Sequence, residues 1–164
     1  MQFVKNGPDL PEHLLQAHED GRVVLFCGAG ISYSAGLPGF SGLVRRLYAA
    51  LGVSPDPVQK AAIKAGQYDT AIGLLEGTFV GGREAVRKAL VPILTPDLSL
   101  KEATTTHEAI LTLGKCRDGH TRLITTNFDR LFEEAIALKK LSVESFQAPL
   151  LPVPKNRWDG LVYL

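Results

Sequence analysis

Cysteine is scarce in this chain, and the two present, Cys27 and Cys116, form no CxxC pair. Neither a disulfide framework nor a cysteine-based zinc site is therefore written in the sequence, and both residues are expected as buried thiols. No apolar run approaches the roughly 20 residues a helix needs to cross a bilayer, which sets membrane insertion aside. No sign of charge dominates either: 18 Lys and Arg face 17 Asp and Glu, for a net charge of +1. An unaided nucleic-acid binder would carry a basic footprint, so direct nucleic-acid binding is not expected. The first residues, Met1-Gln2-Phe3-Val4-Lys5-Asn6, lack the basic, apolar and small-residue regions of a secretory signal, and a cytoplasmic location is the expectation. There is no internal repeat, no low-complexity tract and no complete GxGxxG string.

What the chain does contain is an alternation of short apolar runs and amphipathic stretches over 164 residues, with 45% hydrophobic and 21% charged residues. That length suits a single domain with its own core. Val23-Val24-Leu25-Phe26-Cys27 shows no polar alternation, as expected of a strand buried on both faces. Arg122-Leu123-Ile124-Thr125 reads as a second strand, residues 143–146 as a third, and Leu161-Val162-Tyr163-Leu164 as a last buried one. Helical patterns fall at residues 8–20 with Asp9 as the cap, after Ser41 as a further cap, at 104–115 and at 127–138. Residues 57–95 are helical throughout, with breaks at Gly66, Gly73, Gly77 and Gly81-Gly82, and the segment 52–100 reads as a helical insertion or subdomain. Residues 148–156 form a loop with three prolines. The fold class that follows is α/β: a Rossmann-like parallel sheet flanked by helices, with a helical insertion.

Two strings carry chemistry. Gly28-Ala29-Gly30-Ile31-Ser32 follows the first strand, where small residues let backbone amides approach a pyrophosphate and a helix N-terminus favours its charge. A tight strand-to-helix turn without a ligand would look the same. Thr125-Thr126-Asn127-Phe128-Asp129 stands at the end of the second strand, where ligands of open α/β sheets bind. The Asn127 amide can donate and accept, so it can orient a ribose hydroxyl or a water; Asp129, acceptor-only when ionised, can hold a carboxamide. The alternative is plain helix capping by Asn127, with Asp129 favourable in the first turn.

Together and in this order the two strings resemble those of the sirtuin superfamily. The TTNFD spelling, with Thr126 where deacylases carry glutamine, is similar to prokaryotic sirtuin-like NAD hydrolases of antiphage defence. The resemblance extends to Gly36-Leu37-Pro38 and to Thr106-His107-Glu108-Ala109-Ile110, and so touches most of residues 22–138. It implies NAD as substrate and no metal among these residues. Gly28, Ala29, Gly30, Ser32, Pro38 and Thr126 would bind the dinucleotide together with Asn127 and Asp129, the last two also being catalytic. It implies water as acceptor, giving ADP-ribose and nicotinamide. Gly39-Phe40-Ser41 stands where deacylases have Asp-Phe-Arg, which disfavours the alternative of an NAD-dependent protein deacylase. A non-catalytic NAD- or ADP-ribose-binding or assembly module is the other alternative. The family's partners imply a homo-oligomer, or a complex with an Argonaute-like or helicase-like nucleic-acid sensor. The family's His-Gly pair follows a strand of the Leu161–Leu164 kind, so the general base is expected beyond Leu164, the chain is expected to be the N-terminal portion of a longer protein, and alone it would be inactive. Of the four histidines, His107 aligns with a family histidine expected to be structural; His13 and His18 are expected at the surface and His120 in a turn.

Overall fold

The computed structural model describes residues 1–151 and 158–164, so most of the proline-containing loop expected at 148–156 lies outside the described residues. Four short strands, β1 (Leu25–Cys27), β2 (Arg122–Thr125), β3 (Ser145–Gln147) and β4 (Gly160–Tyr163), form one sheet in the order β1-β2-β4-β3. Every pairing is parallel, and the helices flank it, which makes the fold α/β. The chain divides into two compact units, one made of residues Met1–Ile31 and Thr104–Leu164, the other of Ser32–Ala103.

The first unit holds the sheet, α1 (Glu12–Glu19), α6 (Thr105–Leu113) and α7 (Leu131–Lys139). Cys27, Leu123 and Leu161 alternate onto one sheet face and meet Leu111 of α6 and Phe132 and Ala135 of α7 in a closed apolar cluster. The opposite face carries the register row Phe26, Ile124, Val162 and Phe146. The expectation that β1 is buried on both faces is corrected here: β1 is an edge strand, and Phe26 is 64% exposed. Asp9 does not cap the first helix. Pro11 occupies that position without a side-chain bond, and Asp9 instead binds the Met1 ammonium.

The second unit is helical: α2 (Phe40–Ala50), α3 (Pro57–Lys64), α4 (Tyr68–Thr78) and α5 (Gly82–Ile93). It takes in α2 as well as residues 52–100. Val44, Leu47 and Tyr48 of α2 pack with Leu75 of α4 and Val86 of α5, a core separate from that under the sheet. Asp56 and Gln59 close a reciprocal capping box on α3, satisfying two orphan amides of its first turn. Gly66 and the Gly81-Gly82 pair separate helices as the sequence predicts. Gly73 and Gly77 do not: α4 runs through both. The cap of α2 is Gly39 rather than Ser41, which lies inside the helix.

Candidate functional site

Register pairing sets Cys27 beside Thr125, so the two strings leave the carboxyl ends of neighbouring strands together. The Thr125 hydroxyl donates to the Cys27 carbonyl at 3.2 Å and accepts from the Asn127 backbone N–H at 3.1 Å. The Thr126 N–H also donates to the Cys27 carbonyl, at 3.2 Å. With its backbone held in this way, Asn127 is 9% exposed, and its side-chain Nδ2 donates to the Gly28 carbonyl at 3.3 Å. That bond ties the asparagine turn to the glycine turn. Gly28 then accepts from the Ile31 N–H, and the helix expected after the glycine turn is a 3-10 helix over Ala29–Ala35.

At Gly28 and Gly30 an added Cβ would meet no atom within 4 Å. Packing within the chain therefore does not require glycine at either position, and the space beside both is open. Asn127 does not cap α7: the helix starts at Leu131 rather than the expected 127, its N-cap is Arg130 without a side-chain capping bond, and Asp129 Oδ1 accepts from the Leu131 N–H at 3.1 Å just ahead of it.

A cavity of about 450 Å³ opens at the carboxyl ends of β2, β4 and β3, lined by Asn127, Phe128, Asp129, Arg130, Glu133, Gln147, Ala148, Tyr163 and Leu164. Its size suits a small-molecule ligand. Inside it the Tyr163 hydroxyl donates to Glu133 Oε2, and Arg130 stands 3.6 Å from Glu133 Oε1. Burial, then the Glu133 carboxylate, push the Tyr163 hydroxyl far above its ordinary value, so it stays a donor at all physiological pH. His107 is fully buried on α6, edge-on to the Phe132 ring at 4.8 Å between centroids. Burial lowers its pKa, against a smaller opposing pull from the Asp129 charge.

Of the residues singled out from the sequence, Gly28, Ala29, Gly30, Thr126, Asn127 and Asp129 belong to the first unit, and Ser32 and Pro38 to the second. Asn127 and Asp129 line the cavity; Gly28 joins them through the Asn127 amide. Ser32 is buried, and Pro38 lines a different cavity in the helical unit. Sequence reasoning missed Arg130, Glu133, Gln147 and Tyr163. Glu133 had a signal, its i,i+4 spacing from Asp129, whereas Gln147 and Tyr163 enter only through the strand order. Among the described residues no three His, Cys, Asp or Glu side chains are grouped to hold a metal, and no helix is long and apolar enough to cross a membrane.

No family model and no solved structure matches the chain. It is 32% identical over 162 residues to an uncharacterized protein, y4cA, of Sinorhizobium fredii, a similarity that covers 96% of this chain and 13% of that protein. The chain thus spans about 13% of the length of the curated relative it matches.

Proposed function

We propose that this chain forms the substrate-holding part of a sirtuin-like domain that hydrolyses NAD to ADP-ribose and nicotinamide, acting in the cytoplasm as an effector of prokaryotic antiphage defence. The observation that carries the reading is the Asn127 amide bonded to the Gly28 carbonyl across the ends of two paired parallel strands, beside a cavity that also takes Asp129. A glycine turn with open space at Gly28 and Gly30 suits a pyrophosphate, which needs close backbone approach.

In the reaction the bond between nicotinamide and ribose breaks, the ring leaves with the bonding electron pair as a neutral molecule, and water adds to the ribose carbon and loses a proton. Little acid help is needed at the leaving group. The developing cation on the ribose is favoured by the carboxylates of Asp129 and Glu133, which face a partly desolvated cavity. The Asn127 side-chain amide, held beside the cavity by its bond to Gly28, is the group that orients a ribose hydroxyl or the water. A general base would take the proton. Assembly into an oligomer, or onto a nucleic-acid sensor of the Argonaute-like or helicase-like kind, would switch the activity on.

The test is nicotinamide release by the intact protein, with and without an acylated peptide. Release without peptide is expected, and Asn127→Ala should lower kcat/KM by about 100-fold. Release that required the peptide would favour the deacylase instead. No release under either condition, or an Asn127→Ala protein of full activity, would overturn the reading.

A further inference from the structure

Tyr163 closes β4, and its register row sets it between Thr125 of β2 and Gln147 of β3, at the cavity that also takes Asn127 and Asp129. Its backbone is fixed there, since the N–H of the following Leu164 donates to the Thr125 carbonyl at 3.0 Å. The ring packs against the apolar cluster formed by the sheet with α6 and α7, a task that phenylalanine would perform equally well. The hydroxyl is therefore surplus to the packing. It donates instead to Glu133 Oε2, in the first turn of α7.

Glu133 has a long side chain whose carboxylate, left to itself, would move among several rotamers. Here each oxygen has a neighbour: Oε2 takes the Tyr163 hydroxyl, and Arg130 Nε stands 3.6 Å from Oε1. The two grips are unequal. Arg130 is 80% exposed, so water screens its charge and its hold is weak, whereas the half-buried Tyr163 makes a direct bond to a charged acceptor. Burial, and then the Glu133 carboxylate, keep the Tyr163 proton on its oxygen at all physiological pH, so the hydroxyl cannot serve as a base. What it can do is fix a direction.

We propose that Tyr163 is a positioning residue for the NAD reaction, its hydroxyl holding the Glu133 carboxylate at the cavity where positive charge develops on the ribose. The inference rests on the NAD reading and deepens it. A carboxylate aimed before the substrate arrives favours the developing cation without reorganising, a benefit realised more in the transition state than in the bound ground state. Loss of the hydroxyl should therefore lower kcat and leave KM nearly as it was.

The test is steady-state nicotinamide release by the intact protein, its Tyr163→Phe and Glu133→Gln variants, and the double variant. Tyr163→Phe should lose about tenfold in kcat with KM changed by less than about twofold, and the double variant should lose no more than Glu133→Gln alone, because the hydroxyl acts only through that carboxylate. NMR of the 164-residue chain with its tyrosines labelled at Cζ is the readout that needs no activity. The Tyr163 resonance, identified by its loss in Tyr163→Phe, should move in Glu133→Gln. A rise in KM at constant kcat, losses that multiply in the double variant, or a resonance that stays in place would each overturn the proposal. Nicotinamide release by the parent protein separates the two readings: where it persists beside any of these outcomes, the role of Tyr163 alone is removed, and where it is absent, the NAD reading falls and this inference with it.

Discussion

At the scale of single residues, His107 shows how burial converts a titratable group into a pH-dependent liability. It is fully buried against Phe132, and burial depresses its pKa below the ordinary 6.5, with the Asp129 charge only partly opposing. The unfolded chain therefore takes up the proton before the folded one does. Above about pH 6.5 neither state is protonated there and the contribution of His107 to stability is whole; as pH falls from that value toward the lowered folded value, stability declines. The decline from one group cannot exceed about 1.4 kcal/mol per pH unit. Asp20, Asp97, Glu108 and Asp159, each held below its ordinary value, remain ionised over this window and do not mimic the effect. Urea midpoints should fall between pH 7.5 and pH 5.5 in the parent protein and fall less in His107→Gln. Equal pH dependence in the two proteins would remove His107 as the cause.

At the scale of elements, one buried hydroxyl joins the ends of β1 and β2 together with the Thr126 N–H and the Asn127 amide. Thr125 Oγ1 both donates to Cys27 and accepts from the Asn127 N–H, in a place with no exposure to solvent. Thr125→Val keeps the branched shape that suits a strand but withdraws the acceptor from a buried amide, which costs about 1–3 kcal/mol. Chemical denaturation should show a lower midpoint with an unchanged slope, and Thr125→Ser, which keeps the hydroxyl, should recover most of the loss. If valine were as stable as threonine, the hydroxyl would not be what fastens the asparagine turn. These two strands were legible in the sequence because each is a short apolar run ended by small or polar residues; β2 runs over the residues read for it. What was not legible came from partners distant in sequence. The sense that β1 is buried on both faces failed because a run of apolar residues does not tell an edge strand from a central one. The helix read from Asn127 starts only at Leu131, with the Asn127 amide engaged with Gly28, ninety-nine residues away, and the Asp129 carboxylate accepting from the Leu131 N–H. Gln147 and Tyr163 escaped for the same reason: they join Asp129 and Glu133 only once β4 lies between β2 and β3.

At the scale of the whole molecule, the division into two units has a consequence for folding. The first unit is built from two separated stretches of chain, so its sheet requires β1 to find β2 across the whole of Ser32–Ala103. The second is one contiguous stretch whose core, Val44, Leu47, Tyr48, Leu75 and Val86 with Leu51, Ile63, Tyr68, Ile72, Phe79 and Leu90 around it, comes from its own helices and the residues that end them. Helices joined by short turns make mostly local contacts, and loop closure opposes them little. The α3 capping box and the left-handed Gly66 and Gly81 at helix ends add local signals that agree with the packing. A unit of this size sits near the lower limit at which a single apolar core is sufficient, so the margin is small. A peptide covering residues 32–103 should therefore be helical by circular dichroism and melt cooperatively, a few kcal/mol stable at most. Leu47→Ala, which removes a fully buried side chain from the centre of that core, should lower its stability by about 2–5 kcal/mol and abolish the cooperative transition. A parent peptide with a featureless spectrum, or a melt indifferent to Leu47→Ala, would mean that the helices are held by the rest of the chain and not by their own core.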